Sequence, residues 1–230
     1  MKEKITRASS LEGSPRIPGD KSVSHRSLMF GALAEGTTEV SHLLESADVL
    51  STWACLERMG VRIERSGGQV LVHGVGMLGL RAPLEALDCG NSGTTIRLLM
   101  GILSGQDFTC ELTGDGSLRR RPMKRIAGPL RQMGARIDLT DGERAPLKLR
   151  GSPALQAISY ELPVASAQLK SALLLAGLFA QGTTRLTGLI QSRDHTERLL
   201  PHFGVAVEAG ATEVAIRGGQ KLRAARVNVP

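Results

Sequence analysis

An internal repeat constrains the fold of this chain more than any other feature. Three segments of the 230 residues can be laid over one another, and their glycines then fall at matching positions. The two matching sets are Gly31, Gly101 and Gly177, and Gly60, Gly134 and Gly204. The copies are about 70–76 residues apart, longer than the roughly 20–50 residues of solenoid repeats. Each copy is therefore predicted to be a small subdomain.

Every copy shows the same order of patterns. An apolar stretch predicts a buried helix, a short strand follows, and an amphipathic helix precedes two strands with alternating apolar residues. The predicted apolar helices span 22–34, 92–104 and 167–180, and the predicted amphipathic helices span 48–59, 122–133 and 193–203. The second glycine set suits the residue that follows a helix. Pro122 fits a first helical turn, whereas Pro201 predicts a break in the third amphipathic helix.

These patterns predict an α/β (α+β) fold with pseudo-threefold symmetry. Three repeats of βαβαββ type, at about 19–76, 86–151 and 158–219, would place buried parallel helices inside and the sheets outside. Hydrophobic residues make up 41% of the chain, enough for a substantial core. We expect residues 19–230 to form this unit and residues 1–18 to be a separate N-terminal segment.

The starts of the three apolar helices carry similar polar sequences. These are "GDKS" before the first helix, "GNSGTT" before the second and "ASAQ" before the third. Free N–H groups and partial positive charge at helix N-termini favour anions. Ordinary capping by Ser22, Ser92 and Ser166 would explain one copy. Three copies, with Lys21 and Arg26 beside the first, favour an anion site. Asp20 breaks the spacing of a nucleotide-binding Walker loop here.

Arginines near the second helices add positive charge. The sequence "SLRRRPM" contains Arg119, Arg120 and Arg121, and Arg193 occupies the matching place in the third copy. Arginine can grip a carboxylate or phosphate with two parallel hydrogen bonds. We expect Arg121, next to the helix-starting proline, to face the site and the other two to be solvated.

Proton-transfer groups are harder to find. We interpret Asp194 and Glu197 as residues of a helix surface. His25, one turn after Lys21, is interpreted as a packing or supporting residue, with catalysis as the less favoured alternative.

Composition limits the classes of function. The net charge of +7 would suit nucleic acid, but Phe (4), Trp (1) and Tyr (1) provide few stacking surfaces. Three widely spaced cysteines without a CxxC pair predict neither a zinc site nor disulfides, and favour a reducing cytoplasm. The apolar stretch "SALLLAGLFA" is too short to span a membrane. We therefore expect a cytoplasmic protein that binds small acidic ligands, with no metal, nucleic acid or membrane partner.

Five motifs, in order, resemble the 5-enolpyruvylshikimate-3-phosphate (EPSP) synthase family. They are "PGDKSVSHR", "GNSGTTIRLLMG", "GDGSLRRRPM", "ASAQLKSALLLAGL" and "SRDHTE". The resemblance implies an enolpyruvyl transferase-like fold and transfer of the enolpyruvyl group from phosphoenolpyruvate to the 5-hydroxyl of shikimate 3-phosphate, with release of phosphate. It implies no metal or organic cofactor, and glyphosate as a competitor of phosphoenolpyruvate.

The resemblance also implies a set of binding residues. Shikimate 3-phosphate would contact Lys21, Ser22, Arg26, Ser166, Ala167 through its backbone, Gln168 and Arg193. Phosphoenolpyruvate would contact Lys21, Gly93, Arg121 and Gln168. Lys21 is thus the shared substrate contact and the candidate catalytic residue. Gly93 lacks a Cβ, so a small ligand could approach the backbone closely. Ala167 stands where some relatives have serine.

Family enzymes are roughly twice as long and have two similar lobes around the active site. The resemblance therefore implies an N-terminal lobe whose acid and base groups lie in an absent second lobe, and a monomeric full-length enzyme. Residues 1–18 would pair in that second lobe, and the chain would cross toward it near "ARVNVP". We expect the lobe alone to be inactive or very weak. The alternatives are a natural half that needs a separately encoded partner lobe, and a basic RNA-binding module.

Overall fold

The computed structural model describes residues 9–10, 12–15 and 17–230. The described helices are α1 (Lys21–Leu33), α2 (Ala47–Arg58), α3 (Gly93–Ser104), α4 (Lys124–Gln132), α5 (Ala167–Gly177) and α6 (His195–Leu199). The strands are β1 (Ala34–Ser41), β2 (Arg62–Ser66), β3 (Gln69–Val75), β4 (Leu87–Asp88), β5 (Thr109–Thr113), β6 (Arg136–Thr140), β7 (Arg144–Arg150), β8 (Ser159–Leu162), β9 (Thr183–Gly188), β10 (Val207–Ala209), β11 (Val214–Arg217), β12 (Leu222–Arg223) and β13 (Arg226–Asn228). Short 3₁₀ helices cover Leu118–Arg120 and Leu200–Phe203.

The strands form three sheets of one topology, as the threefold repeat predicts. The second sheet has the order β4-β5-β7-β6 and the third β8-β9-β11-β10. In each, the first pair is parallel and the other two pairs are antiparallel. The first sheet follows the same rule through β1, β3 and β2.

The parallel edge of the first sheet comes from the far end of the described chain. Both β12 and β13 pair with β1 in parallel, with Ala34 opposite Leu222 and Val40 opposite Val227. The backbone N–H of Asp20 also donates to the carbonyl of Pro230 at 2.8 Å. This closure ties the first repeat to residues after the third, and the sequence analysis did not predict it.

The apolar helices lie in the core and run in parallel, as expected. In α1 every residue from Ser24 to Leu33 is buried. The side chain of Arg26 in α1 bonds Ser171 in α5, and Gln168 at the start of α5 bonds Thr94 at the start of α3. Bonds between matching levels of the helices place their N-termini on one face.

The first glycine set allows close packing, in two different ways. A Cβ on Gly31 would lie 3.1 Å from Thr38 Cβ, and a Cβ on Gly177 would lie 3.1 Å from Thr184 Cβ, each in the strand that follows. A Cβ on Gly101 would instead lie 2.3 Å from the carbonyl oxygen of Ala172. Helices α1 and α5 therefore pack closely on the sheets of their own repeats at these glycines, while α3 packs closely against α5.

Helix ends agree with most of the predicted signals. Gly60, Gly134 and Gly204 follow the second helices with φ of 89°, 112° and 79°, a region that favours glycine. Ser92 and Ser166 cap α3 and α5 as expected. Ser22 does not cap α1, because Asp20 Oδ1 accepts from Val23 N at 2.7 Å and the helix begins at Lys21, one residue before the predicted start.

The second helices differ from the predicted bounds. Arg121 precedes a proline and is extended (φ −81°, ψ 137°), so α4 begins only at Lys124. The third helix is α-helical to Leu199 and continues as the 3₁₀ segment Leu200–Phe203, which confirms the break at Pro201. The apolar helix α5 ends at Gly177, three residues before its predicted end. Among the described helices, none is long and apolar enough to cross a membrane.

Candidate functional site

Across one face of the molecule, side chains link the start of α1 to the segment before α6, and the start of α5 to the start of α3. Arg193, just before α6, donates from Nη1 to Ser22 Oγ at 3.3 Å. Gln168 Nε2 donates to Thr94 Oγ1 at 3.1 Å. The face therefore brings together residues from all three repeats, and we call it the helix-start face.

Lys21 stands at the edge of this face. Its side chain is 51% exposed, and its ammonium lies 2.5 Å from Asp48 Oδ2 at the start of α2. Ser22 is partly buried beside it. An exposed pair of this kind is weak, so the ammonium remains accessible to an incoming anion.

Arg26 lies beneath the face rather than on it. Its guanidinium donates to Thr196 Oγ1 at 2.7 Å, to Ser171 Oγ at 2.8 Å and to the carbonyl of Ser22 at 3.0 Å. The residue is 3% exposed, and burial lowers the pKa of Arg26 to about 10. A guanidinium has five N–H groups, so two remain after these bonds. Arg26 thus joins α1 to α5 and α6.

Two arginines meet above Gly93 at the start of α3. A Cβ on this glycine would lie 2.7 Å from Arg97 Nη1 and 3.1 Å from Arg121 Nη1. Arg121 donates to Asn91 Oδ1 and, at 3.3 Å, to Ser117 Oγ. Burial, followed by the positive charge of Arg121, lowers the pKa of Arg97. Arg119 and Arg120 are exposed, as expected.

Arg97 is a site residue that the sequence analysis missed. Its Nη1 donates to Gln168 Oε1 at 2.9 Å, and its Nη2 donates to the carbonyl of Pro122 at 3.2 Å. With its Oε1 bonded in this way, Gln168 presents its amide group to Thr94. The available signal was a single charged residue within the apolar sequence "TTIRLLMG".

The start of α5 completes the face. Ser166, Ala167 and Gln168 are all partly buried, and Ser166 Oγ accepts from the backbone N–H of Leu169 at 3.3 Å. Ala167 is the first helical residue. Its backbone N–H therefore belongs to the first turn, where amide groups lack partners within the helix.

The interpretation of Glu197 as a surface residue is wrong, whereas Asp194 is exposed as expected. Glu197 is buried, and its Oε1 lies 2.6 Å from Lys170 Nζ. The two side chains are only 4% and 3% exposed. The pair forms because α5 supplies a lysine opposite α6, a contact that no pattern within residues 193–203 could indicate.

His25 joins a buried row of hydroxyl groups. Its Nδ1 lies 2.7 Å from Thr52 Oγ1, which lies 2.7 Å from Thr95 Oγ1 at the start of α3. Burial lowers the pKa of His25 to about 4. The side chain is fully enclosed, so the geometry supports the packing interpretation.

The described residues contain no group of three or more His, Cys, Asp or Glu side chains that could hold a metal ion. The cysteines Cys55, Cys89 and Cys110 are buried free thiols. Burial raises the pKa of the Cys110 thiol to about 12. The helix-start face itself presents ammonium, guanidinium, amide and hydroxyl groups, with the Asp48 carboxylate beside Lys21.

Comparison with known proteins decides the family. The family model described as EPSP synthase (3-phosphoshikimate 1-carboxyvinyltransferase) matches residues 5–230. The chain belongs to the EPSP synthase family. All five motifs that carried the resemblance lie within the matched residues.

Individual relatives agree with this assignment. The 3-phosphoshikimate 1-carboxyvinyltransferase of Bacillus licheniformis is 56% identical over 223 residues, which cover 96% of this chain and 52% of the relative. That of Bacillus subtilis is 54% identical, with 99% and 53% covered. The solved EPSP synthase of Acinetobacter baumannii superposes with a TM-score of 0.91 at 52% identity, covering 95% of this chain and 49% of that one. The chain spans about half the length of the curated relatives it matches.

Proposed function

We propose that this chain is the N-terminal, substrate-holding lobe of a 3-phosphoshikimate 1-carboxyvinyltransferase. The whole enzyme would transfer the enolpyruvyl group of phosphoenolpyruvate to the 5-hydroxyl of shikimate 3-phosphate. The observation that carries this proposal is the convergence of three parallel helix starts with Lys21, Arg121 and Arg193 on one face. Both substrates are anions, which helix N-termini and these cations favour.

Shikimate 3-phosphate would bind between the starts of α1 and α5. Arg193 and Lys21 would hold its anionic groups, while Ser22, Ser166, Gln168 and the backbone of Ala167 would donate hydrogen bonds. Arg193 already reaches Ser22 Oγ at 3.3 Å, so the two lie close enough to share one ligand oxygen. Arg26, with two N–H groups that bond to none of the described residues, would support this end from below.

Phosphoenolpyruvate would bind at the start of α3. Because Gly93 has no Cβ, the guanidiniums of Arg97 and Arg121 lie close above the backbone, with Nη1 atoms 2.7 and 3.1 Å from where a Cβ would stand. Lys21 and Gln168 would reach it from the two neighbouring helices. Two guanidiniums and an ammonium would offset the charge of the phosphate and carboxylate groups.

The reaction is an addition followed by an elimination. The 5-hydroxyl of shikimate 3-phosphate loses its proton as its oxygen bonds to C2 of phosphoenolpyruvate, and the C2–C3 double bond becomes a single bond as C3 gains a proton. The C2–O bond to phosphate then breaks, C3 loses a proton, and phosphate leaves. We assign to this chain the holding and orientation of the two anions, which lowers the entropic cost of their encounter. The groups that move protons would lie in a second lobe, the partner of this one in a monomeric cytoplasmic enzyme.

A binding experiment tests the proposal on the chain itself. Shikimate 3-phosphate is titrated into the chain in two experiments, one without and one with phosphoenolpyruvate present. Binding should shift the backbone amide resonances of residues 21–23, 93–95 and 167–169. Arg193→Gln should weaken the first ligand and Arg121→Gln the second, each by about tenfold for one charged contact. Arg217→Gln, at the exposed last residue of β11, is the matched control. Affinities in Arg193→Gln and Arg121→Gln no weaker than in the control, or no binding by the unaltered chain, would overturn the proposal.

Turnover provides a second test. The chain alone should release negligible phosphate from the two substrates, and addition of the complementary half of a relative should restore release. Salt-sensitive binding to single-stranded RNA, without competition from shikimate 3-phosphate, would instead favour the RNA-binding alternative.

A further inference from the structure

A buried ion pair lies directly behind the helix-start face and has no assigned role. Lys170 of α5 and Glu197 of α6 meet at 2.6 Å, with 3% and 4% of their side chains exposed. Burying two charges costs free energy, and an apolar pair of similar size is often at least as stable. Stability alone is therefore a poor reason for this pair.

Lys170 makes two further bonds that an apolar residue could not make. Its Nζ donates to the carbonyl of Ile190 at 3.0 Å and to the carbonyl of Ser192 at 3.5 Å. Both carbonyls belong to the segment between β9 and α6, which carries Arg193. An ammonium has three N–H donors, so Glu197 and the two carbonyls use all of them.

The residue before Glu197 provides a second attachment of the same segment to α5. This residue, Thr196, accepts from Arg26 Nε at 2.7 Å and donates to Ser171 Oγ at 2.8 Å. The charge of Glu197 also partly offsets the effect of burial on the pKa of Arg26. Residues on both sides of Arg193 are thus fixed to α5, one side by Lys170 and the other by Thr196.

We propose that Lys170 is a positioning residue that holds Arg193 over Ser22 by binding the carbonyls of Ile190 and Ser192. Glu197 keeps the lysine ammonium in place for this task. The inference rests on the proposed function in one respect, because it takes Arg193 as a contact of shikimate 3-phosphate. The geometry of the segment itself does not depend on any ligand.

The first measurement needs no ligand. Amide hydrogen exchange of residues 189–194 should accelerate by about tenfold in Lys170→Met, whereas exchange at 93–95 should stay unchanged. Arg185→Met is the matched control, because Arg185 forms an exposed pair with Glu213 at 2.5 Å in the same repeat. Unchanged exchange at 189–194 in a folded Lys170→Met chain would overturn the proposal.

The second measurement is the affinity for shikimate 3-phosphate, read by calorimetry. Lys170→Met should raise the dissociation constant by about tenfold, as expected for loss of a well-placed charged contact. Arg185→Met should leave it unchanged. If the unaltered chain does not bind this ligand, the proposed function fails, and the exchange measurement still decides the role of Lys170.

A double variant separates positioning from simple support of the fold. Lys170→Met combined with Glu197→Met removes both buried charges, so stability should recover relative to Lys170→Met alone. The carbonyls of Ile190 and Ser192 still lack the lysine donor, and only the long bond from Ser192 Oγ to Ile190 O at 3.4 Å remains, so fast local exchange and weak binding should persist. Recovery of stability, exchange and affinity together would show a merely structural role and contradict the proposal.

Discussion

Lys21 and Asp48 join the start of α1 to the start of α2 through an ion pair of 2.5 Å. The backbone carbonyl of Asp48 also accepts from Thr95 Oγ1 at 3.3 Å, so Asp48 lies between the starts of α1 and α3. The carboxylate therefore competes for the ammonium that we assign to both substrates. A stronger Lys21–Asp48 pair should therefore weaken the binding of an anion to Lys21.

Asp48→Asn should strengthen the binding of inorganic phosphate to the chain by about threefold. An exposed pair contributes at most about 1 kcal/mol, which limits the gain to about fivefold. A phosphate titration followed by amide chemical shifts would measure the change. Glu45→Gln is the control, because it removes another exposed ion pair, in which Glu45 Oε2 lies 2.7 Å from Arg65 Nη2. Weaker phosphate binding in Asp48→Asn would refute the competition.

Gly101→Ala should destabilise the fold by about 2 kcal/mol or more, because the added methyl meets backbone that cannot easily move. Its Cβ would lie 2.3 Å from Ala172 O and 2.9 Å from Ala172 Cα. Gly128→Ala in α4 is the matched control, with no atom within 4 Å of the new Cβ. That variant should gain about 0.5–1 kcal/mol from the helix preference of alanine. Urea unfolding would measure both, and equal effects would contradict the packing of α3 on α5.

Gly93→Ala should weaken phosphoenolpyruvate binding by about tenfold, provided that the proposed site is correct. The new Cβ, 2.7 Å from Arg97 Nη1 and 3.1 Å from Arg121 Nη1, would push these guanidiniums aside. Both are ends of flexible side chains, so the free energy of unfolding should change by less than about 0.5 kcal/mol. Gly116→Ala, whose nearest contact is 3.7 Å away, should leave affinity unchanged. Competition calorimetry would show the outcome, and an affinity equal in the two variants would exclude this role of Gly93.

The stability of the fold should fall as the pH drops below neutrality, with His25 as one cause. Burial holds the pKa of His25 at about 4, below its ordinary value of 6.5, and the charge of Asp48 opposes this only in part. Between these two values the unfolded chain binds more protons than the folded chain, so stability rises with pH. The contribution is complete above about pH 6.5 and is lost as the pH falls toward 4.

The measurement is the free energy of unfolding in urea at pH 7 and pH 5. For the unaltered chain, His25 should account for a loss of about 2 kcal/mol between these values. In His25→Gln, the free energy of unfolding should fall by about 2 kcal/mol less over the same pH range. His195 is present in both proteins, so the difference isolates His25. The same pH dependence in both would rule out burial of a neutral imidazole at this position.

Local patterns predicted the elements of the fold well. The apolar runs indicated α1, α3 and α5, and Pro201 indicated where the third amphipathic helix changes to a 3₁₀ segment. The glycines after the second helices were identified because a left-handed residue there favours glycine. These signals depend on neighbours within a few residues, so the sequence contains them directly.

Local sequence patterns did not predict contacts between residues that are far apart in the chain. Glu197 looked like a surface residue because its partner, Lys170, is 27 positions away on another helix. Arg97 was missed since its bond to Gln168 spans 71 positions. The pairing of β13 with β1 joins the first repeat to residues that follow the third. Periodicity predicts which face of an element is buried, but not which side chain of another element contacts that face.

The sequence by itself determined a threefold repeat, three buried helices with polar starts, and a set of cations suited to anions. These follow from hydrophobic periodicity, turn residues and capping, which are local. The tertiary structure decided that Arg26 lies beneath the face, that Arg97 and Arg121 meet over Gly93, and that a buried lysine anchors the segment of Arg193. Such arrangements depend on how helices from different repeats pack, because only packing sets the distance between charges far apart in the chain.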